Sequence, residues 1–262
     1  MAIRKTLMVA MMLPQAALWS ADGAFQVRAD ISEIPDAAVY AESAKAICEE
    51  WYPKINVILY GKDHPLPFAE VELLFAGVVV AADGSEQKEV PALSKRNKIW
   101  ISLEHCKSHY PTSDPALWPR GFQAMMIHEL THVNQDYGKY PSNASWVTEG
   151  IADYVRHKCF EEDIEPRLRL DSHGQLNGYS PKDNYLFALQ NRKAELDSKG
   201  YLLSYTVASA FLFWIEERKD KEVIRKLNAA LHNGKYSERV FEQSCGAPLD
   251  ALWREFLVQS KP

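Results

Sequence analysis

The first hundred residues contain short runs in which apolar and polar positions alternate or β-branched residues predominate. Such runs predict four strands, at residues 25–31, 71–75, 78–82 and 98–103. A helical pattern over residues 36–51 follows the first strand. Pro53 is expected to interrupt this helix before it resumes at residues 54–60, because proline lacks the amide hydrogen that a helix needs.

From about residue 119 onwards, the apolar residues recur with the period of a helix. They predict six helices, at residues 122–135, 146–159, 185–196, 201–218, 221–231 and 249–258. Strands followed by helices are typical of an α+β fold rather than of a parallel βαβ sheet. We predict one domain over residues 21–262, in which an N-terminal mixed sheet with helices (about 21–137) precedes a mostly helical part (about 138–262). The polar, turn-rich stretch 161–180 is a candidate active-site loop.

The N-terminus has the features of a secretory signal peptide. Arg4 and Lys5 precede an apolar run at residues 7–18. This run is too short to cross about 30 Å of hydrocarbon as a helix. We therefore expect residues 1–20 to direct export, which gives a secreted or periplasmic protein with no stable membrane insertion. The alternative is an amphipathic N-terminus on a cytoplasmic protein.

Composition narrows the class of protein further. The chain has 262 residues, of which 47% are hydrophobic, enough to form a packed core. Its net charge of −5 includes no basic excess, so we do not expect nucleic acid as a partner. Four cysteines lie far apart, without a Cys-x-x-Cys pair: Cys48, Cys106, Cys159 and Cys245. In an exported protein they can pair in three ways or stay free, and the sequence does not choose.

A His-Glu-x-x-His pentapeptide is the strongest chemical signal in the chain. His128 and His132 are four positions apart in a predicted buried helix, so both imidazoles leave the same face and can share one zinc ion. Glu129 lies about 100° round the helix from His128, which suits a base for the attacking water better than a third ligand. His105 and His109 have the same spacing without an intervening glutamate, and a loop is predicted at 108–111, so we expect no second metal site there.

The following helix supplies carboxylates for this site. Glu149 and Asp153 are also four positions apart, so their side chains point the same way. One carboxylate can bind the metal while the other accepts a hydrogen bond from a ligand imidazole and holds its tautomer. We assign Glu149 to the metal and Asp153 to the imidazole. Gly150 and Ala152 are small, as expected where two helices approach closely.

Together, the His-Glu-x-x-His motif and the segment Glu-Gly-Ile-Ala-Asp-Tyr-Val-Arg at 149–156 resemble the basic secretory protein family of plant and bacterial zinc peptidases. The resemblance covers nearly the whole chain after residue 20. It includes the segments at 51–55, 98–102, 205–208, 225–228 and 252–256. Two features depart from the family: this chain is acidic, and Ala208 stands where relatives often carry threonine.

The resemblance implies a gluzincin-like metallopeptidase with a zincin-like fold and an active-site cleft between the two parts of the domain. In gluzincins the third metal ligand is a glutamate on the helix after the His-Glu-x-x-His helix, which corresponds to Glu149. In thermolysin-like members an aspartate four residues later supports a ligand histidine, which corresponds to Asp153. By analogy with zincins, the strand around 97–103 is expected to line the cleft and pair with extended substrate backbone.

Peptide hydrolysis also benefits from a hydrogen-bond donor at the developing oxyanion. Tyr205 is our candidate, since it lies in a family-like segment that opens a helix after the polar stretch, with Tyr154 and Tyr179 as alternatives. We therefore predict an exported metallopeptidase that uses one zinc ion and Glu129 as general base to hydrolyse peptides or proteins. The alternatives are a secreted zinc-containing binding protein of the same fold without turnover, and a hydrolase of non-peptide amides.

Overall fold

The computed structural model includes most of the strands and helices that the sequence predicts. The structure describes residues 25–32, 34–80, 84–110, 120–139, 141–160, 199–202 and 204–259. The predicted signal peptide, the polar stretch 161–180 and the predicted helix 185–196 lie outside these residues.

The described strands include a four-stranded mixed sheet, which confirms the predicted α+β class. They are β1 Gln26–Asp30, β2 Glu70–Ala76, β3 Val79–Val80, β4 Glu86–Gln87, β5 Ala92–Lys95 and β6 Lys98–Ser102. The main sheet has the order β1-β2-β6-β5. β1 and β6 both pair in parallel with β2, whereas β5 pairs antiparallel with β6 and forms an edge. β3 and β4 form a separate antiparallel pair.

A single helix, α1 (Ala38–Tyr60), connects β1 to β2. The helix continues through Pro53, so the expectation that this proline interrupts it is wrong. Pro53 is exposed, and water can therefore bond the helix carbonyl that the proline leaves without a partner. Tyr52 and Ile55, on either side of it, are fully buried and hold the helix on the core. β1, α1 and β2 thus form a parallel βαβ unit within the α+β fold, which the sequence pattern did not predict.

Helix α2 (Leu103–His109) begins directly after β6 and includes residues that were expected to form a loop. The hydroxyl of Ser102 accepts a hydrogen bond of 3.1 Å from the amide of His105 and so caps the helix. The capping serine explains why the strand predicted to reach Leu103 ends one residue earlier.

The remaining described helices form most of the second half of the chain. They are α3 Arg120–Gln135, α4 Ser145–Tyr154, α5 Tyr205–Arg218, α6 Val223–His232, α7 Arg239–Cys245 and α8 Leu249–Gln259. α4 continues into a π-helical turn, Val155–Phe160. α1 packs on β1 and β2, α3 packs on β5 and β6, and the two helices pack on each other, so both cover one face of the sheet.

The four cysteines form no disulfide with one another in the structure, and Cys48 and Cys106 are buried in α1 and α2. Burial raises the pKa of the Cys106 thiol to about 12. Within the described residues, the helices lack the combination of length and apolar character that crossing a bilayer requires.

Candidate metal centre

The His-Glu-x-x-His motif lies on α3, in the interior of the molecule. Phe122, Met126, Ile127 and Leu130 are fully buried and fix one face of this helix against the sheet and α1. α3 ends after Gln135, where the next residue has a positive φ of 35°. The helix therefore has little freedom to rotate, and its two histidines are presented in a set direction.

Three side chains meet beside α3 in the way that the motif spacing predicts. The Nε2 atoms of His128 and His132 are 3.2 Å apart, and each is 3.3 Å from Oε2 of Glu149. Within the part of the chain that the structure describes, these residues form the one group of three or more potential ligands close enough to hold a metal ion. Glu149 comes from α4, so the site joins two helices.

The triangle of ligand atoms fits a tetrahedral metal ion. Ligand atoms on a tetrahedral ion with bonds of about 2.0 Å are separated by about 3.3 Å, the spacing expected for zinc. Nδ1 of His128 donates to Oδ1 of Asp153 at 2.8 Å, and Nδ1 of His132 donates to Oε1 of Gln135 at 2.7 Å. With both Nδ1 atoms protonated, the two Nε2 atoms and the carboxylate are three acceptors in mutual contact, and such a cluster requires a cation.

The supporting groups are themselves held in place. Gln135 donates from Nε2 to the carbonyl of Thr148 at 3.0 Å, which fixes its amide orientation and leaves Oε1 for His132. Asp153 is almost fully buried on α4, with His157 and Arg156 within 3.6 Å of its carboxylate. The Asp153 carboxylate thus lies against the imidazole of His128.

In the metal-free protein the same cluster attracts a proton. Burial lowers the pKa of His128, but hydrogen bonds to Asp153 and Glu149 outweigh burial and raise it to about 10. Burial raises the pKa of Glu149, but its hydrogen bonds with His128 and His132 lower it to about 2. The pKa of Asp153 is also held well below its ordinary value, since hydrogen bonds from His128 and His157 outweigh burial. The site therefore stabilises positive charge at its centre.

Glu129 lies next to these ligands on α3 and is 8% exposed. Its Oε2 atom accepts a hydrogen bond of 2.6 Å from the hydroxyl of Ser94 on β5. The same hydroxyl is 2.9 Å from the main-chain oxygen of Glu129. The carboxylate is thus fixed by a strand as well as by its own helix.

A cavity of about 1160 Å³ opens beside the ligand atoms. Residues of β5, α3, α4 and α5 line it, including every predicted site residue: His128, Glu129, His132, Glu149, Asp153 and Tyr205. The expectation that residues 97–103 line the cleft is wrong. β6 lies between β2 and β5 with both edges paired, and β5 lines the cavity instead.

Tyr205 is the first residue of α5, which begins four residues later than the predicted helix 201–218. Ser204 caps α5 by accepting a hydrogen bond of 3.2 Å from the amide of Val207. This cap places the Tyr205 ring 6.0 Å from the His128 ring, nearly parallel to it and 53% exposed. Of the two alternatives, Tyr154 is buried and donates to Glu216 at 2.7 Å, and Tyr179 lies outside the described residues.

Two polar residues of the site, Ser94 and Gln135, belong to no recognisable motif and were not predicted from the sequence. Gln135 follows His132 by three positions, so helical spacing indicates contact between the two side chains once the histidine is known to be a ligand. The contact of Ser94 with Glu129 joins residues 35 positions apart and depends on β5, which is too short for a clear alternation. The two-residue turn between β5 and β6, where Arg96 has a φ of 55°, is the local signal that indicates this strand.

α4 and α5 approach each other closely at the position where the sequence has small residues. A methyl group built on Gly150 would lie 3.0 Å from Cβ of Ala208 and 3.1 Å from Cδ1 of Leu212. Gly150 directly follows Glu149, so this contact sets how far α4, which carries Glu149, stands from α5.

Comparison with known proteins gives a match at the level of the family. No curated protein and no solved structure matches the chain significantly. The family model for BSP, described as "Peptidase of plants and bacteria", matches residues 32–256. This match spans both the His-Glu-x-x-His helix and the helix with Glu149. The chain therefore belongs to the BSP family of plant and bacterial peptidases.

Proposed function

We propose that this protein is a zinc-dependent, gluzincin-like metallopeptidase in which His128, His132 and Glu149 hold one zinc ion and Glu129 is the general base. The observation that carries the proposal is the triangle of ligand atoms, 3.2–3.3 Å on each side. Two imidazole nitrogens and one carboxylate oxygen are a ligand set of catalytic zinc sites, which keep a fourth position for water or substrate. The family description supplies the reaction, hydrolysis of peptide bonds.

The residues around the ion have distinct tasks in this reaction. An ion held by His128, His132 and Glu149 would polarise the scissile carbonyl and make nearby water more acidic. Glu129 takes a proton from the attacking water and delivers it to the nitrogen of the leaving amine. Asp153 and Gln135 keep both ligand imidazoles in the tautomer that leaves Nε2 free for the ion. The buried position of Glu129 keeps both proton transfers away from bulk water.

The edge of β5 is the proposed binding surface for substrate backbone. This edge lines the cavity, and an extended peptide can add to it as a further strand.

Tyr205 is the proposed donor to the developing oxyanion. Its position beside His128 and its exposure to the cavity support this role, because the scissile carbonyl must lie close to the ligand atoms. Tyr205→Phe should lower kcat with little change in KM, because the phenol would bond the transition state more strongly than the substrate.

The variant Glu129→Gln tests the proposed function. It preserves the shape of the side chain but removes the basic oxygen, so we expect one zinc ion per chain and a fall in kcat of at least about a hundredfold. The measurements are zinc content by mass spectrometry and turnover of a broad peptide library. Glu242→Gln, an exposed substitution on α7, is the matched control and should behave as the wild type.

Other outcomes would favour the alternatives. If the wild type and Glu129→Gln both bound zinc but cleaved no peptide, the chain would be a zinc-containing binding protein. Turnover of simple amides without turnover of peptides would indicate a different hydrolase. Full peptidase activity in Glu129→Gln would exclude Glu129 as the base.

We also propose that the protein is exported. The basic start and short apolar run of the N-terminal residues support this proposal. Expression of the full chain, followed by N-terminal sequencing of the secreted or periplasmic fraction, should give a mature protein that begins near residue 21. Retention of the intact N-terminus in the cytoplasm would contradict export.

A further inference from the structure

We propose that Ser94 is a positioning residue for the general base, an inference that rests on the proposed peptidase function. Ser94 lies on β5, and its hydroxyl is 2.6 Å from Oε2 of Glu129. No other donor in the described part of the chain bonds this carboxylate. The hydroxyl therefore holds one carboxylate oxygen and leaves the other to exchange a proton with substrate and water.

A fixed orientation matters for this carboxylate because its side chain is flexible. A glutamate has three rotatable bonds, and only a few of its conformations place an oxygen beside the attacking water. A hydrogen bond between a hydroxyl and a carboxylate is stronger than one between neutral groups. The Ser94 contact thus selects one conformation of Glu129 before substrate binds.

The serine can keep this contact in both protonation states of the base. Its hydroxyl carries one proton and has two acceptors on the same residue, Oε2 and the main-chain oxygen of Glu129, at 2.6 and 2.9 Å. When Glu129 is ionised, the hydroxyl donates to the carboxylate. When Glu129 has taken the proton from water on its other oxygen, Oε2 is still an acceptor and the hydroxyl can continue to donate to it. No proton is gained or lost by Ser94 itself.

The same contact ties the base to the proposed substrate-binding strand. Ser94 is partly buried, whereas its neighbours Leu93 and Lys95 are exposed, so the strand directs this hydroxyl inwards to α3. A peptide paired with β5 would therefore be held at a distance from Glu129 that Ser94 helps to set. Ser94 acts through Glu129 and through the strand, without itself reacting.

The experiment compares Ser94→Ala, which removes the hydroxyl, with Ser94→Thr, which keeps it and suits a strand. We expect Ser94→Ala to lower kcat by about 10- to 100-fold, the loss of one hydrogen bond to a charged group. KM should change less than about threefold, and the zinc content should stay at one ion per chain. Ser94→Thr should recover most of kcat. Ser43→Ala, which removes a buried hydroxyl from α1 away from the cavity, is the control and should match the wild type.

A second pair of variants distinguishes positioning from a general structural effect. If Ser94 acts through Glu129, then Ser94→Ala should have no further effect on the residual kcat of Glu129→Gln. The inference would be overturned if Ser94→Ala lowered kcat equally in the wild type and in Glu129→Gln. It would also be overturned if Ser94→Ala had the kcat of the wild type. In both cases the proposed peptidase function would stand. A wild-type protein without peptidase activity would instead overturn the proposed function on which this inference rests.

Discussion

At the scale of single residues, the site depends on the side chains that hydrogen-bond to its proposed ligands. The ligands themselves follow from helical spacing, because positions four apart share a face whatever the rest of the fold does. The orientation of each imidazole depends on a further hydrogen bond, from His128 to Asp153 and from His132 to Gln135. The assignment of Asp153 to an imidazole followed from its spacing with Glu149. The contact of Gln135 was not predicted, although its spacing from His132 indicates it once His132 is taken as a ligand.

Gln135→Ala should weaken metal binding without removing a ligand. The change leaves Nδ1 of His132 without its acceptor, so the ring loses its fixed orientation, and we expect about tenfold weaker binding. Competition with a zinc-binding dye measures the affinity directly. Gln243→Ala, an exposed glutamine on α7, is the control and should leave the affinity unchanged. Equal affinities for both variants would show that the Gln135 contact does not support the ligand.

Metal binding should release a proton. Burial lowers the pKa of His128, yet hydrogen bonds to Asp153 and Glu149 raise it to about 10 in the metal-free protein. At pH 7–9 the ring therefore carries a proton that a metal ion must displace, so the apparent affinity should rise with pH by about tenfold per unit. Calorimetry in buffers with different ionisation enthalpies should give about one proton released at pH 7.5. An affinity that is constant from pH 7 to 9 would contradict this account.

At the scale of elements, the position of the site depends on how closely α3, α4 and α5 pack. Long periodic helices and the strand β2 were predictable because their burial patterns are repeated over several turns or pleats. β5 was missed because four residues carry too little pattern, and its place at the edge depends on pairing with β6. Pro53 misled the prediction because its exposed position within α1 is set by tertiary packing.

Gly150→Ala should destabilise the protein even though alanine favours helices. The added methyl group would lie 3.0 Å from Cβ of Ala208, which is too close for an ordinary contact. Overpacking of a core costs about 1–3 kcal/mol, against a gain in helix propensity of about 1 kcal/mol. We expect the free energy of unfolding in urea to fall by about 1 kcal/mol.

The double variant Gly150→Ala/Ala208→Gly is the control for this contact. It removes the opposing methyl group, so it should be more stable than the sum of the two single changes predicts. Strict additivity of the two changes would show that the methyl groups do not meet.

At the scale of the whole molecule, the proposed ion joins the two halves that the sequence distinguishes. α3 packs on the sheet of the first half, whereas α4 packs on α5 of the second half. His128 and His132 belong to the first helix and Glu149 to the second. The motifs made this pairing predictable, but only the packing of both helices determines that the three ligand atoms meet at 3.2–3.3 Å.

A calorimetric titration with zinc tests the proposed metal centre most directly. The proteins to compare are the metal-free wild type, Glu149→Ala and Glu129→Gln. We expect one tight site per chain in the wild type and in Glu129→Gln. In Glu149→Ala the loss of a ligand should weaken binding by about a hundredfold or more. Wild-type affinity in Glu149→Ala would contradict the proposed metal centre and the function built on it.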